Sequence, residues 1–293
     1  MANSARAALE SALRVRKLDR TLTTALAPMD RADPSAVVAT DVTALDVALR
    51  GGLPRGQLSE IAGPRSSGRT SLLFQVIAAA TRRGEIAALI DTFDRLDVAS
   101  ADAAGILLDR LLWVRGQAIT RMQEAGLRNH PDTWNATPGP SGLFDRTIDR
   151  ALKALNLVLQ AGGFSVVAID LADVPPLALK RIPFTTWLRV QRIIEGSDTA
   201  CVLLTPEPLS RSAGGLTLAL TGRSSWAGDS DRSRRLASLD LTTRLVSPRR
   251  RVDGEVTLRA VASDSHQLRV GHEDTKTRRF LNDFYSVPSC LRG

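Results

Sequence analysis

The sequence feature that most constrains the fold is a glycine-containing loop between an apolar strand pattern and a helical pattern. Residues 63–70 read Gly-Pro-Arg-Ser-Ser-Gly-Arg-Thr, which is the spacing G-x-x-x-x-G-[K]-[ST] of a phosphate-binding loop with arginine in the lysine position. The segment QLSEIAG leads into this loop, and SLLFQVIAAATRRG follows it. Backbone N–H groups in such a loop and at the start of the next helix attract phosphate. The pattern therefore predicts a loop of the nucleotide-binding type.

We predict that this degenerate loop contacts nucleotide phosphates through nine consecutive residues: Gly63, Pro64, Arg65, Ser66, Ser67, Gly68, Arg69, Thr70 and Ser71. The hydroxyl of Thr70 is placed to reach a Mg²⁺ ion. Asp170 ends the apolar strand pattern SVVAID, and a carboxylate at the end of a neighbouring strand would lie beside the loop. Asp170 is therefore the second predicted Mg²⁺ contact, through water. The alternative is an aspartate that only caps a turn.

The order of patterns along the chain predicts a doubly wound α/β fold. Apolar strand runs alternate with helical patterns of 10–15 residues, which is typical of a mainly parallel sheet with helices on both faces. Alternating apolar residues near the C-terminus predict an antiparallel extension of this sheet. The expected organisation is an N-terminal helix and linker at 1–36, a core at 37–270 containing a basic loop at 206–235, and a C-terminal tail at 271–293.

Composition excludes several classes of protein. The 293 residues are 43% hydrophobic and 24% charged, which is enough apolar material for a sizeable core and excludes global disorder. No apolar run approaches the roughly 20 residues of a membrane span, and the N-terminus has no secretory apolar segment. Two cysteines, Cys201 and Cys290, exclude a disulfide framework and fit a reducing cytoplasm.

The chain is strongly basic, with a net charge of +8, and 35 of its 39 basic residues are arginine. Two alternative explanations of this arginine excess are coding bias in a GC-rich genome and contact with a polyanion. Residues 211–251 hold nine arginines against three aspartates, and an aromatic residue among arginines can stack on an unpaired base. The predicted DNA contacts are Arg211, Arg223, Trp226, Arg232, Arg234 and Arg235. A solvated basic loop without a ligand is the alternative.

Residues 51–84, GGLPRGQLSEIAGPRSSGRTSLLFQVIAAATRRG, resemble the core of RecA, the bacterial strand-exchange recombinase. The flanking segments VTALDVAL and IDTFDRLD continue the resemblance, which thins out through residues 160–205. It implies a RecA-like fold, ATP with Mg²⁺ as cofactor and single-stranded DNA as partner. The predicted helix at 5–27 is similar to the RecA helix that docks on the next protomer, which implies self-association or contact with RecA.

The chain departs from the RecA pattern at the positions that carry catalysis. The catalytic carboxylate position is Phe93, and the adenine-stacking tyrosine position is Ser100. The asparagine–glutamine pair that senses the γ-phosphate matches Thr205 and Pro206. Pro175 and the proline after it leave little room for the first DNA-binding loop. Together these changes predict a protein with no catalytic residue and weak or absent binding of ATP or ADP with Mg²⁺.

The segment VVAIDLADVPPLALKRIPFTTWLRVQRIIEGSDTACVLLTPEPL is more similar to the ImuA-type RecA-related accessory proteins than to RecA itself. That resemblance implies an adaptor in error-prone translesion DNA synthesis within the DNA damage response. Its implied partners are DNA, RecA and translesion polymerase subunits, in the bacterial cytoplasm beside the nucleoid. The alternatives are a DNA-dependent ATPase that forms filaments and a nucleotide-gated binding module.

Overall fold

A computed structural model describes residues 36–118, 140–210, 215–247, 252–262, 267–271 and 286–288. The predicted N-terminal helix at 5–27 and the predicted DNA contact Arg211 lie outside these residues.

Ten strands of the described segments form one sheet, and two short ones pair apart from it. The short strands β1 (Val37–Val38) and β2 (Leu53–Pro54) are antiparallel. The sheet contains β3 (Leu58–Ala62), β4 (Ala87–Asp91), β5 (Leu111–Arg115), β6 (Val166–Asp170), β7 (Ala200–Thr205), β8 (Leu216–Ala227), β9 (Arg235–Ser247), β10 (Val252–Ala262), β11 (Gln267–Gly271) and β12 (Ser286–Pro288). Its order is β12-β11-β10-β9-β8-β3-β7-β6-β4-β5. The strands from β8 to β5 in that order pair in parallel, and the pairs from β8 to β12 are antiparallel.

Six helices lie between the described strands: the first lies between the antiparallel strands β1 and β2, and the other five connect parallel strands of the sheet. They are α1 (Thr43–Leu49), α2 (Arg69–Arg82), α3 (Val98–Ala103), α4 (Pro140–Ala161), α5 (Pro176–Arg181) and α6 (Phe184–Ile194), with a 3₁₀ turn at Leu108–Arg110. Prolines open α5 and α6, where a missing backbone N–H costs nothing. In the segments described, no helix has the length and apolar character that crossing a membrane requires.

Both faces of the sheet are covered, because side chains of successive strand residues enter two different apolar clusters. In β6, Val166 and Ala168 pack with the cluster that contains α1 and α2, whereas Val167 and Ile169 pack with the cluster that contains α4, α5 and α6. Trp187 of α6 is among the largest fully buried side chains. The predicted doubly wound, mainly parallel α/β fold with an antiparallel extension is confirmed.

The structure corrects the prediction of a basic loop at residues 206–235. Twelve of these residues, Leu216–Ala227, form β8, which pairs with both β3 and β9. The cause is the alternation of Leu216, Leu218 and Leu220, which are buried in the core while Thr217 and Ala219 between them are partly exposed. Glycine, serine and arginine dominate the surrounding composition and concealed this alternation.

The predicted C-terminal tail at 271–293 also contributes to the sheet. Its residues Ser286–Pro288 form β12, which pairs in antiparallel with β11. A strand of three residues is too short to show a period of two in the sequence, and only its pairing with a distant strand defines it.

A buried carboxylate lies in the middle of the central strand β3. Glu60 is fully buried, and its oxygens accept hydrogen bonds from the Thr205 hydroxyl at 3.1 Å, the Leu209 N–H at 2.6 Å and the Ser210 hydroxyl at 2.9 Å. These bonds hold the segment that leaves β7 against the sheet. Burial raises the pKa of Glu60, and the hydrogen bonds oppose that rise only in part.

We predict that ionisation of Glu60 destabilises the native state as the pH rises. A carboxyl whose pKa is raised by folding contributes most below its unfolded-state pKa and loses that contribution as the pH rises through its folded-state pKa. Glu60→Gln has no titratable proton. Its amide replaces one acceptor oxygen with an NH₂ group, which faces the donors that bind Glu60, so the variant is less stable than wild type. The deficit in free energy of unfolding, measured by urea denaturation, shrinks from pH 4.5 upward.

Glu85→Gln is the matched control, because Glu85 has a shift of the opposite sign. Its carboxylate accepts hydrogen bonds from Ser165 and Arg55, which hold its pKa below the ordinary value despite partial burial. The deficit of Glu85→Gln therefore shrinks as the pH falls through the folded-state pKa. Parallel pH profiles for the two variants would contradict the assignment of Glu60.

Candidate functional site

The predicted phosphate loop lies between β3 and α2, at the carboxyl edge of the parallel strands. The loop leaves the sheet at Gly63, whose N–H donates to the Thr205 carbonyl at 3.1 Å. Gly68 has the left-handed φ of 79° that its position before α2 requires, and Ser66 has a φ of 61°. Three residues of the phosphate loop are buried: Gly63, Ser67 and Arg69. Two are partly buried, Gly68 and Ser71, and the other four are exposed: Pro64, Arg65, Ser66 and Thr70.

Arg69, the residue in the lysine position of the loop, forms hydrogen bonds within the protein. Arg69 is only 6% exposed, and its guanidinium donates to the carbonyl of Gly63 and, at 3.0 Å, to the carbonyl of Ala172. Burial lowers the pKa of Arg69, whereas Asp170 and Asp173 act in the opposite direction. The side chain that should face a phosphate therefore lies inside the loop.

Asp170 lies at the end of β6, as predicted, and close enough to Arg69 to influence its charge. Its carboxylate accepts a hydrogen bond from the Ala172 N–H at 2.8 Å, which is the geometry of a turn-capping aspartate. Burial raises the pKa of Asp170 to about 7, and the hydrogen bond from Ala172 opposes this rise. In the part of the chain that the structure describes, no group of three or more histidine, cysteine, aspartate or glutamate side chains is arranged to hold a metal.

The loop fits ATP with Mg²⁺ only in part. The glycine geometry and the buried Ser67 hydroxyl, which has no hydrogen-bond partner in the described structure, remain suited to a phosphate. The guanidinium of Arg69 donates to two carbonyls, and the partly buried Asp170 accepts a hydrogen bond from the backbone. As arranged, these residues do not fit a triphosphate–magnesium complex.

The position expected to hold a catalytic carboxylate is part of the core. Phe93 is 4% exposed, and its ring packs edge-to-face on Phe144 of α4 with centroids 5.6 Å apart. The neighbouring Asp94 does not replace the carboxylate, because both of its oxygens accept hydrogen bonds from Arg115 at 2.8 Å. This pairing lowers the pKa of Asp94. The described structure therefore places no carboxylate at this position.

The positions expected for base stacking and phosphate sensing are also committed elsewhere. Ser100 is buried in α3, and its hydroxyl bonds to Asp97 at the start of that helix. The hydroxyl of Thr205 donates to Glu60, and the next residue is Pro206, which has no N–H. Glu60 was missed by sequence reasoning. Its only signal was an acidic residue inside an otherwise apolar strand pattern.

The predicted DNA contacts that the structure describes lie on a two-stranded hairpin. Arg223 and Trp226 belong to β8, Arg235 belongs to β9, and Arg232 and Arg234 occupy the turn between the strands. All five side chains are exposed. β8 pairs with β3 only as far as Ala219, so the arginine-bearing part of the hairpin extends beyond the parallel strands.

The register separates the tryptophan from the arginines of the strands. Arg223 lies opposite Asp240, and Arg235 lies opposite Ala227, so these two arginines share one face of the hairpin. Trp226 lies opposite Leu236 and shares the other face with Leu239 and Leu241. The strand arginines and the tryptophan therefore lie on opposite faces of the hairpin.

The face of the hairpin that carries Leu241 packs directly on the phosphate loop. A methyl group added at Gly68 would lie 2.5 Å from the Leu241 side chain, and one added at Gly222 would lie 2.7 Å from the Ser66 carbonyl oxygen. A methyl group added at Gly63 would lie 2.7 Å from the Leu220 carbonyl oxygen. The absence of a side chain at these three glycines thus allows the close approach of the loop and the hairpin, which at Gly63 and Gly222 is between backbones.

Fold and site together define an α/β protein with a mainly parallel sheet and a glycine-containing loop between β3 and α2. Residues 16–122 match the family model of the RecA N-terminal domain. The chain is 36% identical over 135 residues to Protein RecA of Methylococcus capsulatus, which covers 46% of this chain and 30% of that protein. It is 45% identical over 167 residues to Protein RecA of Leifsonia xyli, covering 52% and 39%, respectively.

Protein RecA of Clavibacter michiganensis is similar at 35% identity over 167 residues, covering 52% of this chain and 38% of that protein. The chain thus spans 30% to 39% of the length of these three relatives. The matches support a relationship to the RecA-like superfamily.

We predict that restoring the carboxylate does not restore catalysis. Phe93→Glu would place an acid against Phe144 in the core, so it should lower the free energy of unfolding by about 3 kcal/mol or more. ATP hydrolysis, measured by phosphate release with and without single-stranded DNA, stays at background in both wild type and variant. A general base contributes only when it reaches the reacting water.

Leu157→Glu is the control, because Leu157 is an apolar residue of α4 with 68% of its surface exposed. The same acidic side chain there should change stability by no more than about 0.5 kcal/mol. DNA-stimulated ATP hydrolysis by wild type, abolished in Thr70→Ala, would show that the loop is catalytically competent.

Proposed function

We propose that this protein is a RecA-like accessory protein of the DNA damage response that binds DNA without hydrolysing ATP. The observation that carries the proposal is the combination of an exposed arginine hairpin with a phosphate loop whose cation is engaged internally. The two features lie in direct contact. The hairpin presents its arginines to solvent, whereas Arg69, the loop residue in the lysine position, is nearly buried. ATP or ADP with Mg²⁺ binds weakly or not at all, without base selectivity, because Ser100 offers no stacking surface.

The physiological role that we propose is an adaptor in error-prone translesion DNA synthesis. RecA and translesion polymerase subunits are the proposed protein partners, and the proposed location is the bacterial cytoplasm beside the nucleoid. The similarity of residues 166–209 to ImuA-type accessory proteins supports this role. So does the altered catalytic position, where Phe93 is a core residue rather than an acid.

A DNA-dependent recombinase ATPase is the second candidate function. The similarity to Protein RecA of several bacteria favours it. The burial of Phe93 and the pairing of Asp94 with Arg115 oppose it, because neither residue can activate water in that arrangement. ATP hydrolysis distinguishes the two candidates, since both bind DNA but only the recombinase hydrolyses ATP.

We predict sequence-independent DNA binding that weakens steeply with salt, because arginines contact mainly phosphates. For single strands, the logarithm of the binding constant falls by about 0.7 per phosphate for each unit of log salt concentration. The triple change of Arg232, Arg234 and Arg235 to alanine should weaken binding and reduce this slope by up to about 2. Fluorescence anisotropy with labelled single-stranded DNA measures both quantities across a salt series.

The matched control replaces three exposed arginines outside the hairpin, Arg150, Arg189 and Arg192, with alanine. It removes the same net charge, so it distinguishes a local contact from a general effect of charge. An equal loss of slope in both triple variants would disprove the hairpin interface.

Trp226→Ala should cost a further 1–3 kcal/mol of binding free energy only if the indole stacks on a base.

We predict that residues 1–30 carry protein association separately from DNA binding. This segment contains the predicted amphipathic helix at 5–27, which lies outside the described residues. Deleting it should abolish self-association, measured by analytical ultracentrifugation, and association with RecA, measured by co-sedimentation. DNA affinity should stay within about twofold of wild type. Normal association of the truncated protein would contradict this docking role.

A further inference from the structure

Arg69 bridges two segments that are far apart in the sequence. Its guanidinium donates one hydrogen bond to the carbonyl of Gly63, the first residue of the phosphate loop. It donates another, at 3.0 Å, to the carbonyl of Ala172 in the turn that follows β6. The two nitrogens of one planar group therefore hold the loop and this turn together, in a geometry that a lysine ammonium does not reproduce.

The surroundings of this bridge contain both carboxylates and further guanidinium groups. Arg69 is nearly buried, with Asp170 and Asp173 supplying negative charge nearby. Asp173 in turn contacts Arg65 at 3.2 Å and Arg95 at 3.9 Å. The cation of Arg69 thus has acceptors and counter-charges from the protein alone, so that no anionic ligand is needed to keep it in place.

We propose that Arg69 acts as an internal brace that replaces nucleotide as the group stabilising the phosphate loop, and that its engagement blocks binding of a triphosphate. For the guanidinium to turn toward a phosphate, it would have to leave the carbonyls of Gly63 and Ala172. The backbone oxygens would then lose their donor in a largely buried place, which opposes binding. The phosphate loop is therefore stable without nucleotide, and binding of a triphosphate is unfavourable.

The hairpin limits how far the loop can open to avoid this conflict. Leu241 lies against Gly68, and Gly222 lies against the Ser66 carbonyl, so the outer side of the loop is in close contact with β8 and β9. The inner side is held by Arg69. Within that closed loop, the buried Ser67 hydroxyl is a polar atom that a phosphate could contact once the guanidinium is removed.

The experiment uses the full-length chain and compares Arg69→Lys and Arg69→Ala with wild type. Thermal unfolding is measured without nucleotide, and binding of ATP with Mg²⁺ is measured by isothermal titration calorimetry. Arg65→Ala is the control, since Arg65 belongs to the same loop but is exposed and paired with Asp173. It should shift the unfolding temperature by less than about 2 °C.

Arg69→Ala should lower the unfolding temperature by about 4–8 °C without any ligand, because two charge-assisted hydrogen bonds are lost. Arg69→Lys should bind ATP with Mg²⁺ at least tenfold more tightly than wild type, since an ammonium cannot hold both carbonyls and is free to reach a phosphate. If Arg69→Ala does not fold, the affinity of Arg69→Lys still decides the matter.

Three results would overturn the proposal. An unchanged unfolding temperature in Arg69→Ala would show that the bridge does not stabilise the loop. Equal or weaker ATP binding in Arg69→Lys would show that the guanidinium is not what blocks the site. Tight binding by wild type that is lost in Arg69→Ala would show that Arg69 is a phosphate ligand. None of these results depends on DNA or protein partners, so they leave the proposed adaptor function to its own tests.

Discussion

The pairing of β3 on both sides organises the rest of the structure. Its five residues Leu58–Ala62 are all buried, and they pair in parallel with β7 on one edge and β8 on the other. The phosphate loop leaves from its end, the carboxylate of Glu60 holds the segment that follows β7, and the hairpin continues from β8. The phosphate loop, the segment held by Glu60 and the hairpin are therefore all attached to one central strand. The position of each depends on the register of that strand.

The contacts around the phosphate loop explain how a nucleotide-binding architecture can keep its shape while its chemistry changes. At the position expected for a catalytic carboxylate, Phe93 packs against Phe144 of α4. At the position expected for base stacking, Ser100 donates hydrogen bonds to Asp97, the residue that caps α3, and offers no ring. The hydroxyl of Thr205 donates a hydrogen bond to Glu60. Each altered side chain has a structural partner, so the site is rebuilt as part of the core and is not merely deprived of its functional groups.

Local patterns in the sequence were sufficient for the parallel sheet, the loop and the buried strand ending at Asp170, because each depends on a short stretch of residues. The direction of the Arg69 side chain was not predictable, since it is set by Ala172, a residue 103 positions away. The partners of Glu60 are similarly 145–150 positions distant. β8 carried a usable signal in alternating leucines, but the glycine and arginine around them suggested a loop.

The contact between Gly68 and Leu241 restricts how this sequence can evolve. A side chain at position 68 has no room unless the leucine on the hairpin becomes smaller, since even a methyl group would lie 2.5 Å from it. Glycine also tolerates the φ of 79° at this position better than other residues. Substitutions at the two sites are therefore not independent. A covariation between them in related sequences would record the attachment of the hairpin to the loop.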